Sequence, residues 1–286
     1  MPSIVVIGSI NLDIVATVPC LPPPGETVTD AVLAHYPGGR GANQALAASR
    51  LGADVVLIGR VGKDAEADAA LSLLRESNVD LSGVVAVEDA ATGVALVMVA
   101  ENGENQIVVA PGANRRLASE PLQVPAADAL IAELQFPSDA VAEAVSAFEG
   151  FSCVSLAPSK EIDDAVLRDA DLIVVNEPEA AWYGKRLLSR EGLVATTFGA
   201  LGAVLVRGGE EVARVSAPLV DAVDSTGAGD AFTAALTLAF IEGQRPTEAL
   251  RFACAAGAAA AQRSGAQPSL PTREEVRRML HDAPTR

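Results

Sequence analysis

Asp230 lies in the stretch DSTGAGDAF, Asp224 to Phe232, where a glycine-rich turn runs into a long apolar helix pattern. Free backbone N–H groups at a helix start, with the helix dipole behind them, attract an anion. The local design thus suits a phosphate with a carboxylate beside it, a repulsive arrangement that needs a chemical reason. The plainer reading is that Ser, Asp and Gly crowd helix starts to satisfy the four N–H groups lacking an intrahelical acceptor. Three further polar clusters have plain readings too: NLD at Asn11 to Asp13 as a turn, GGRGAN at Gly38 to Asn43 as a loop with a cap, and NEPE at Asn176 to Glu179 as an N-cap with an acidic first turn.

Something must hold these four clusters together. Short β-branched runs without polar alternation recur at IVVIG (from Ile4), VVLIG (from Val55), LIVVN (from Leu172) and AVLVRGG (from Ala203). Such runs suit strands of a parallel sheet covered on both faces. Helical patterns lie between them, among them ANQALAASRLGA from Ala42, EAVSAF from Glu143 and EAAWYGKRLL from Glu179. The βαβ rhythm predicts a doubly wound α/β fold with a mostly parallel sheet. Two segments interrupt it, residues 11–37 and 92–112. In the second, VALVMVA and QIVVA flank ENGEN, so Asn102-Gly103 predicts a hairpin turn. The two segments are expected to make a small antiparallel sheet that sits over the main sheet as a lid. No linker, repeat or low-complexity tract divides the chain, so residues 1–286 read as one domain. In open parallel sheets ligands bind at the carboxyl ends of the strands, and all four polar clusters are expected on that edge.

The bulk properties narrow the chemistry. A formal net charge of −16 over 286 residues argues against a binder of nucleic-acid backbone. Cys20, Cys153 and Cys254 are scattered, odd in number and without CxxC spacing, which suits reduced thiols in the cytoplasm. The start MPSIVVIGSINLD has no basic n-region, and the apolar helix Phe252 to Ala261 is far shorter than the ~20 residues of a membrane span. A soluble protein with no membrane partner is expected. The glycines match neither GxGxxG directly after the first strand nor GxxxxGK[ST], which demotes the dinucleotide-binding and P-loop readings.

GGRGANQALAASRLGA and DSTGAGDAFTAAL resemble the two signature regions of the ribokinase family of carbohydrate kinases, also called the PfkB family. The likeness runs nearly end to end, with GSINLD, PGETV at Pro24, TGVAL at Thr92, PGAN at Pro111 and RSGAQPSLP at Arg263 in the family's order. It implies a ribokinase-like fold with a small β-sheet lid, and transfer of the γ-phosphate of ATP to the terminal hydroxyl of D-ribose, giving D-ribose 5-phosphate. Gly227, Ala228 and Gly229 would form the anion hole, and Asp230 would take the proton of the attacking hydroxyl, which supplies the missing reason for its placement.

By the same resemblance Asn11, Asp13, Gly39, Arg40, Asn43 and Gln135 would line the sugar pocket. Asn176 and Glu179 match an NxxE element that helps place magnesium and the phosphates through waters. Thr197, Gly199 and Gly202, from TFGALG, resemble the loop under the nucleotide, and Cys254 stands where a histidine near adenine is common. A monovalent cation, usually potassium, would sit at Asp224, Thr226, Ala260, Arg263, Gly265 and Ser269, mostly on backbone carbonyls. A homodimer clasped through the lid strands is implied as well. Two departures touch the sugar pocket: Arg40 replaces the family's lysine, and Gln135 in ELQFP replaces a glutamate, with Glu133 expected on the same strand face. They leave room for a kinase of another sugar or a nucleoside. A sugar-binding regulator without catalysis is disfavoured, because it has no need of a base at the anion site.

Overall fold

The computed structural model describes residues 1–100, 104–118 and 122–282. Its strands are β1 (Ser3–Ile7), β2 (Asn11–Val18), β3 (Val32–Gly38), β4 (Asp54–Gly62), β5 (Asp80–Val87), β6 (Gly93–Ala100), β7 (Asn105–Ala110), β8 (Ala129–Glu133), β9 (Phe151–Ser155), β10 (Leu172–Asn176), β11 (Leu193–Thr197), β12 (Ala203–Arg207) and β13 (Glu210–Val215). The helices are α1 (Arg40–Arg50), α2 (Ala65–Ala70), α3 (Ser72–Glu76), α4 (Ser138–Ala147), α5 (Asp164–Asp169), α6 (Glu177–Tyr183), α7 (Lys185–Leu188), α8 (Ala228–Ile241), α9 (Pro246–Ala260), α10 (Ala266–Ser269) and α11 (Arg273–Asp282).

The uniformly apolar strands are buried on both faces, as their lack of alternation predicts. In β1, Ile4 and Val6 enter one core with α1, α8 and α9, while Val5 and Ile7 enter another with α4 and α5. β8 and β10 divide their side chains between the same two cores. The main sheet has nine strands in the order β13-β12-β11-β10-β9-β8-β1-β4-β5, parallel from β5 through to β11. The fold is therefore the expected doubly wound, mostly parallel α/β sheet flanked by helices.

AVLVRGG does not join the parallel set: β12 pairs antiparallel with both β11 and β13. Its connections explain this. A single short turn around Gly199–Leu201 links β11 to β12, and Gly208 and Gly209, at φ 57° and 82°, turn the chain straight into β13. Neither is long enough for a parallel crossover.

A second sheet has four strands in the order β3-β2-β6-β7 and comes from the two segments that break the βαβ rhythm. It is mixed rather than antiparallel. β2–β3 and β6–β7 pair antiparallel, but the central β2–β6 pair is parallel, with Asn11 opposite Gly93. Each segment makes its own antiparallel pair, and the two are joined by strands that run in the same direction. The expected Asn102-Gly103 turn lies outside the described residues, between strands paired as a hairpin requires.

From β1 the chain builds toward β4 and β5, then returns to add β8 on the other side of β1. The topological switch point therefore lies between β1 and β8, where open α/β sheets bind their ligands.

Candidate active site

Beyond the end of β1 the chain passes Gly8, Ser9 and Ile10 and enters β2 at Asn11. The first turn of α1 packs on this crossing so closely that a Cβ on Gly41 would fall 2.5 Å from the Gly8 Cα. The Arg40 and Ala42 amides donate to Ser9 Oγ and Ser9 O at 3.1 and 3.0 Å. Gly39 opens the helix at φ 89°, a left-handed conformation that glycine adopts without strain.

Asn11 and Asp13, both buried, alternate onto one face of β2. Asn114, from PGAN, fixes Asn11 from behind. Its Nδ2 donates to Asn11 Oδ1 at 2.8 Å, and its Oδ1 accepts from the Ile10 amide at 2.9 Å. The Asn11 Nδ2 is thereby turned to Gln135 Oε1, at 3.3 Å. A Cβ on Gly38 would strike the Asp13 carboxylate, and one on Gly93 would strike Asn11, so two of the quoted glycines make room for the two polar side chains.

Asp230 lies in the first turn of α8, which packs against α1. Its Oδ2 accepts from Asn43 Nδ2 at 2.8 Å and its Oδ1 from Gln44 Nε2 at 3.0 Å. Burial pushes its carboxyl well above the usual range, while Arg40, Asn43 and Gln44 pull it back. Burial likewise pushes Asp13 up to about 7, with the charges of Asp230 and Asp224 adding to the effect. Buried carboxyl groups with raised affinity for protons, close enough to feel each other's charge, are suited to accepting one.

At the expected anion hole, Gly227 caps α8 at φ 81°, followed by Ala228 and Gly229. The tight turn closes on itself, so the Ala228 amide donates to Ser225 O at 3.1 Å and the row of N–H groups is not wholly free. The loop before it is stapled by Asp224. One carboxylate oxygen takes the Thr226 amide and hydroxyl at 2.9 and 2.6 Å; the other takes the Gly265 amide at 2.8 Å. Ala260 ends α9, Arg263 pairs with Glu275 at 3.1 Å, and Ser269 Oγ donates to Ala266 O at 2.8 Å. Of the cation candidates, then, the side chains of Asp224, Thr226, Arg263 and Ser269 all have protein partners.

Asn176 and Glu179 form a reciprocal capping box at α6, each side chain taking the other's amide at 2.8 Å. The plain N-cap reading of NEPE is thus correct as structure. Among the described residues no three of His, Cys, Asp and Glu converge on a metal position. Thr197 ends β11, and Gly199 and Gly202 turn the chain at φ 55° and 104°. β10 and β11 stand three and four positions from β1 along the sheet, so these residues lie roughly 14–19 Å from the end of β1 along the carboxyl edge, by the ~4.8 Å strand spacing. No contact joins them to the Asp230 cluster among the hydrogen bonds of the described residues.

An open cavity of about 970 Å³ lies against this turn, lined by Ala200, Leu201, Leu219, Arg251, Ala259 and Gln262 among others. Cys254 is not in its lining; it is buried in the core, which pushes its thiol up to about 12.

Glu133 departs from its expected placement. β8 ends at Glu133, so Gln135 lies beyond the strand and the two share no face. The fully buried Glu133 carboxylate instead accepts the Ser9 amide at 2.6 Å and the Gln135 amide at 2.5 Å, tying the ends of β1 and β8 together across the switch point. Sequence reasoning passed over Gln44 and Asn114 as well. Both lie inside quoted motifs, but only spatial contact shows what their amides hold.

A family model described as pfkB family carbohydrate kinase matches residues 1–273. Ribokinase from Bacillus subtilis is 35% identical over 98% of this chain and 100% of its own length, and that from Haemophilus influenzae is 34% identical over 98% and 99%. The crystal structure of Arabidopsis thaliana ribokinase complexed with ribose and ATP superposes with a TM-score of 0.84 at 30% identity, covering 98% of both chains. With a glycine-capped turn at the head of α8, a buried aspartate in its first turn and buried polar side chains at the switch point, the chain belongs to the pfkB family of carbohydrate kinases.

Proposed function

We propose that this enzyme is a ribokinase, transferring the γ-phosphate of ATP to the terminal hydroxyl of D-ribose to give D-ribose 5-phosphate. The observation that carries this reading is the buried Asp230, held by Asn43 and Gln44 beside Asn11 and Asp13 at the mouth of an anion-attracting helix. Relatives named ribokinase, 34–35% identical over nearly the whole chain, add the substrate. Asn11, Asp13, Asn43 and Gln135 bind and orient the sugar, with Gly39 and Arg40 at its rim. The hydroxyl oxygen attacks the γ-phosphorus, its proton passes to Asp230, and the bond from that phosphorus to the bridging oxygen breaks to release ADP. Gly227, Ala228 and Gly229 offer N–H groups to the charge on the transferring phosphoryl, the Ala228 donor exchanging Ser225 O for it.

Thr197, Gly199 and Gly202 are proposed beneath the nucleotide, with its base toward the large cavity and α9, the helix that carries Cys254. The donor set suits a magnesium ion brought in by the nucleotide and touched through water by Asn176 and Glu179, not one held in a protein cage. Magnesium supplies neutralisation of the phosphate charge. Potassium is proposed beside the anion hole, on carbonyls of the loops that Asp224 staples together, where it would fix their shape. The cytoplasm is the proposed compartment; among the described residues no helix is long and apolar enough to cross a membrane.

Arg40 and Gln135 favour a second reading, a kinase of the same fold acting on another sugar or a nucleoside. Comparing kcat/KM for ribose, fructose, 2-keto-3-deoxygluconate, adenosine and pseudouridine decides between them, and any substrate that exceeds ribose overturns the first. Asp230→Asn should cut kcat by ~10²–10⁴ while ATP and sugar still bind. A variant keeping more than about a tenth of wild-type turnover removes the base assignment.

A further inference from the structure

Asn43 and Gln44 are adjacent on α1, and between them they occupy both oxygens of one carboxylate. Ionised, Asp230 accepts only, so each amide presents its nitrogen; an oxygen turned that way would repel it. Asn43 Oδ1 and Gln44 Oε1 are consequently buried with no partner. Gln44 is wholly inaccessible to bulk solvent. A buried acceptor without a donor costs stability, and a methionine would fill the same space without that cost. Packing alone therefore does not account for a glutamine here.

We propose that Gln44 is a positioning residue for Asp230, holding Oδ1 fixed and the carboxyl ionised while Oδ2, shared with Asn43, is the oxygen that meets the substrate hydroxyl. This rests on the reading of Asp230 as the base. Asn43, the less completely buried of the two, exchanges its bond to Oδ2 for the incoming hydroxyl. Gln44, turned into the α1–α8 interface, keeps its bond throughout the cycle.

The surrounding charges leave this task to few groups. Asp13 on β2, its carboxyl pushed up to about 7, and Asp224 before α8 are the neighbouring carboxyls, and Arg40 at the head of α1 is the opposing cation. From the sheet behind α8, Glu133 is turned to the Ser9 and Gln135 amides, and Cys153 is a thiol that burial keeps neutral. Cys254 on α9 is neutral for the same reason.

Gln44→Met keeps the volume and removes the donor; Gln44→Glu keeps the size and places a second carboxyl beside the first. The acid limb of kcat/KM against pH reads the free enzyme. It should move up by about one unit in the Met variant and further in the Glu variant, since loss of a hydrogen bond to the charged form and addition of a like charge both raise a carboxyl pKa. A residue that merely packed would leave the acid limb where it is in the Met variant, whose volume is kept. Carboxyl ¹³C NMR titration of aspartate-labelled protein, with Asp230→Asn to assign the signal, reads the same shift without turnover. Asp230 titrating at the wild-type pH in both variants overturns the proposal. Should Gln44→Met fail to fold, Gln44→Leu, which also removes the donor without adding charge, carries the comparison. Undiminished activity in Asp230→Asn, with the NMR shift still present, would instead remove the base reading and leave Gln44 holding the carboxylate.

Discussion

Asp13 has a carboxyl pushed up to about 7 by burial and by the charges of Asp230 and Asp224. The folded chain thus keeps a proton that the unfolded chain releases near pH 4. Its contribution to stability is present below that pH and is lost as pH rises toward 7. At ~1.4 kcal/mol per unit, the loss across the window is on the order of 2–4 kcal/mol. Asp13→Asn should remove this slope, raising stability at pH 8 by about 1–3 kcal/mol in urea denaturation, with little change at pH 4, while weakening ribose binding. A variant with the wild-type slope would show that another group titrates there. Glu133→Gln is expected to cost about 1–3 kcal/mol and to raise the KM for ribose more than it lowers kcat, because an amide has one acceptor oxygen for two buried N–H donors. Denaturation midpoints and steady-state kinetics check both parts, and an unchanged KM would sever Glu133 from the sugar pocket. The types and motif order of Asn11, Asp13, Asn43 and Asp230 were legible in the sequence. The tasks of Gln44, Asn114 and Glu133 were not, because each depends on a partner more than a hundred residues away.

At the scale of elements, local signals read well where connections are long and poorly where they are short. IVVIG, VVLIG and LIVVN became parallel strands because helices cross over between them. AVLVRGG, equally apolar, became antiparallel because its flanking turns leave no room for a helix. NEPE shows the opposite lesson: its capping box satisfies every local rule, so function there is invisible to local rules. The Asp224 staple joins the turn before α8 to the segment after α9 through a single carboxylate. Potassium bound on the adjoining carbonyls should raise kcat severalfold, with sodium much weaker, because the ion would order the turn that carries Gly227 to Gly229. Equal rates in potassium and tetramethylammonium would contradict a cation site. Asp224→Asn should abolish the cation response while the protein stays folded.

The whole molecule leaves its second sheet incompletely covered. Val32, Leu33, Leu96, Ile107, Val108 and Val109 are 40–69% exposed, and among the described residues β3 and β7 are edges with one neighbour each. Apolar edges of this kind seek partners, and a second copy joined sheet to sheet is the proposed one. Leu96 and Val108 sit opposite each other across β6 and β7, so changing both to Asp should convert a dimer into a monomer by sedimentation at micromolar concentration. A wild-type monomer under those conditions refutes the arrangement.

The parallel register that sets Asn11 beside Gly93 also dictates an order of events. Partners so distant along the chain meet only after β1, α1, β4 and β5 have drawn their ends together, since the entropy of loop closure must be met before such a contact rewards it. The wall proposed to face the sugar is thus expected to form late in folding, and a chain diluted from denaturant should regain its helical ellipticity before it can hold a sugar.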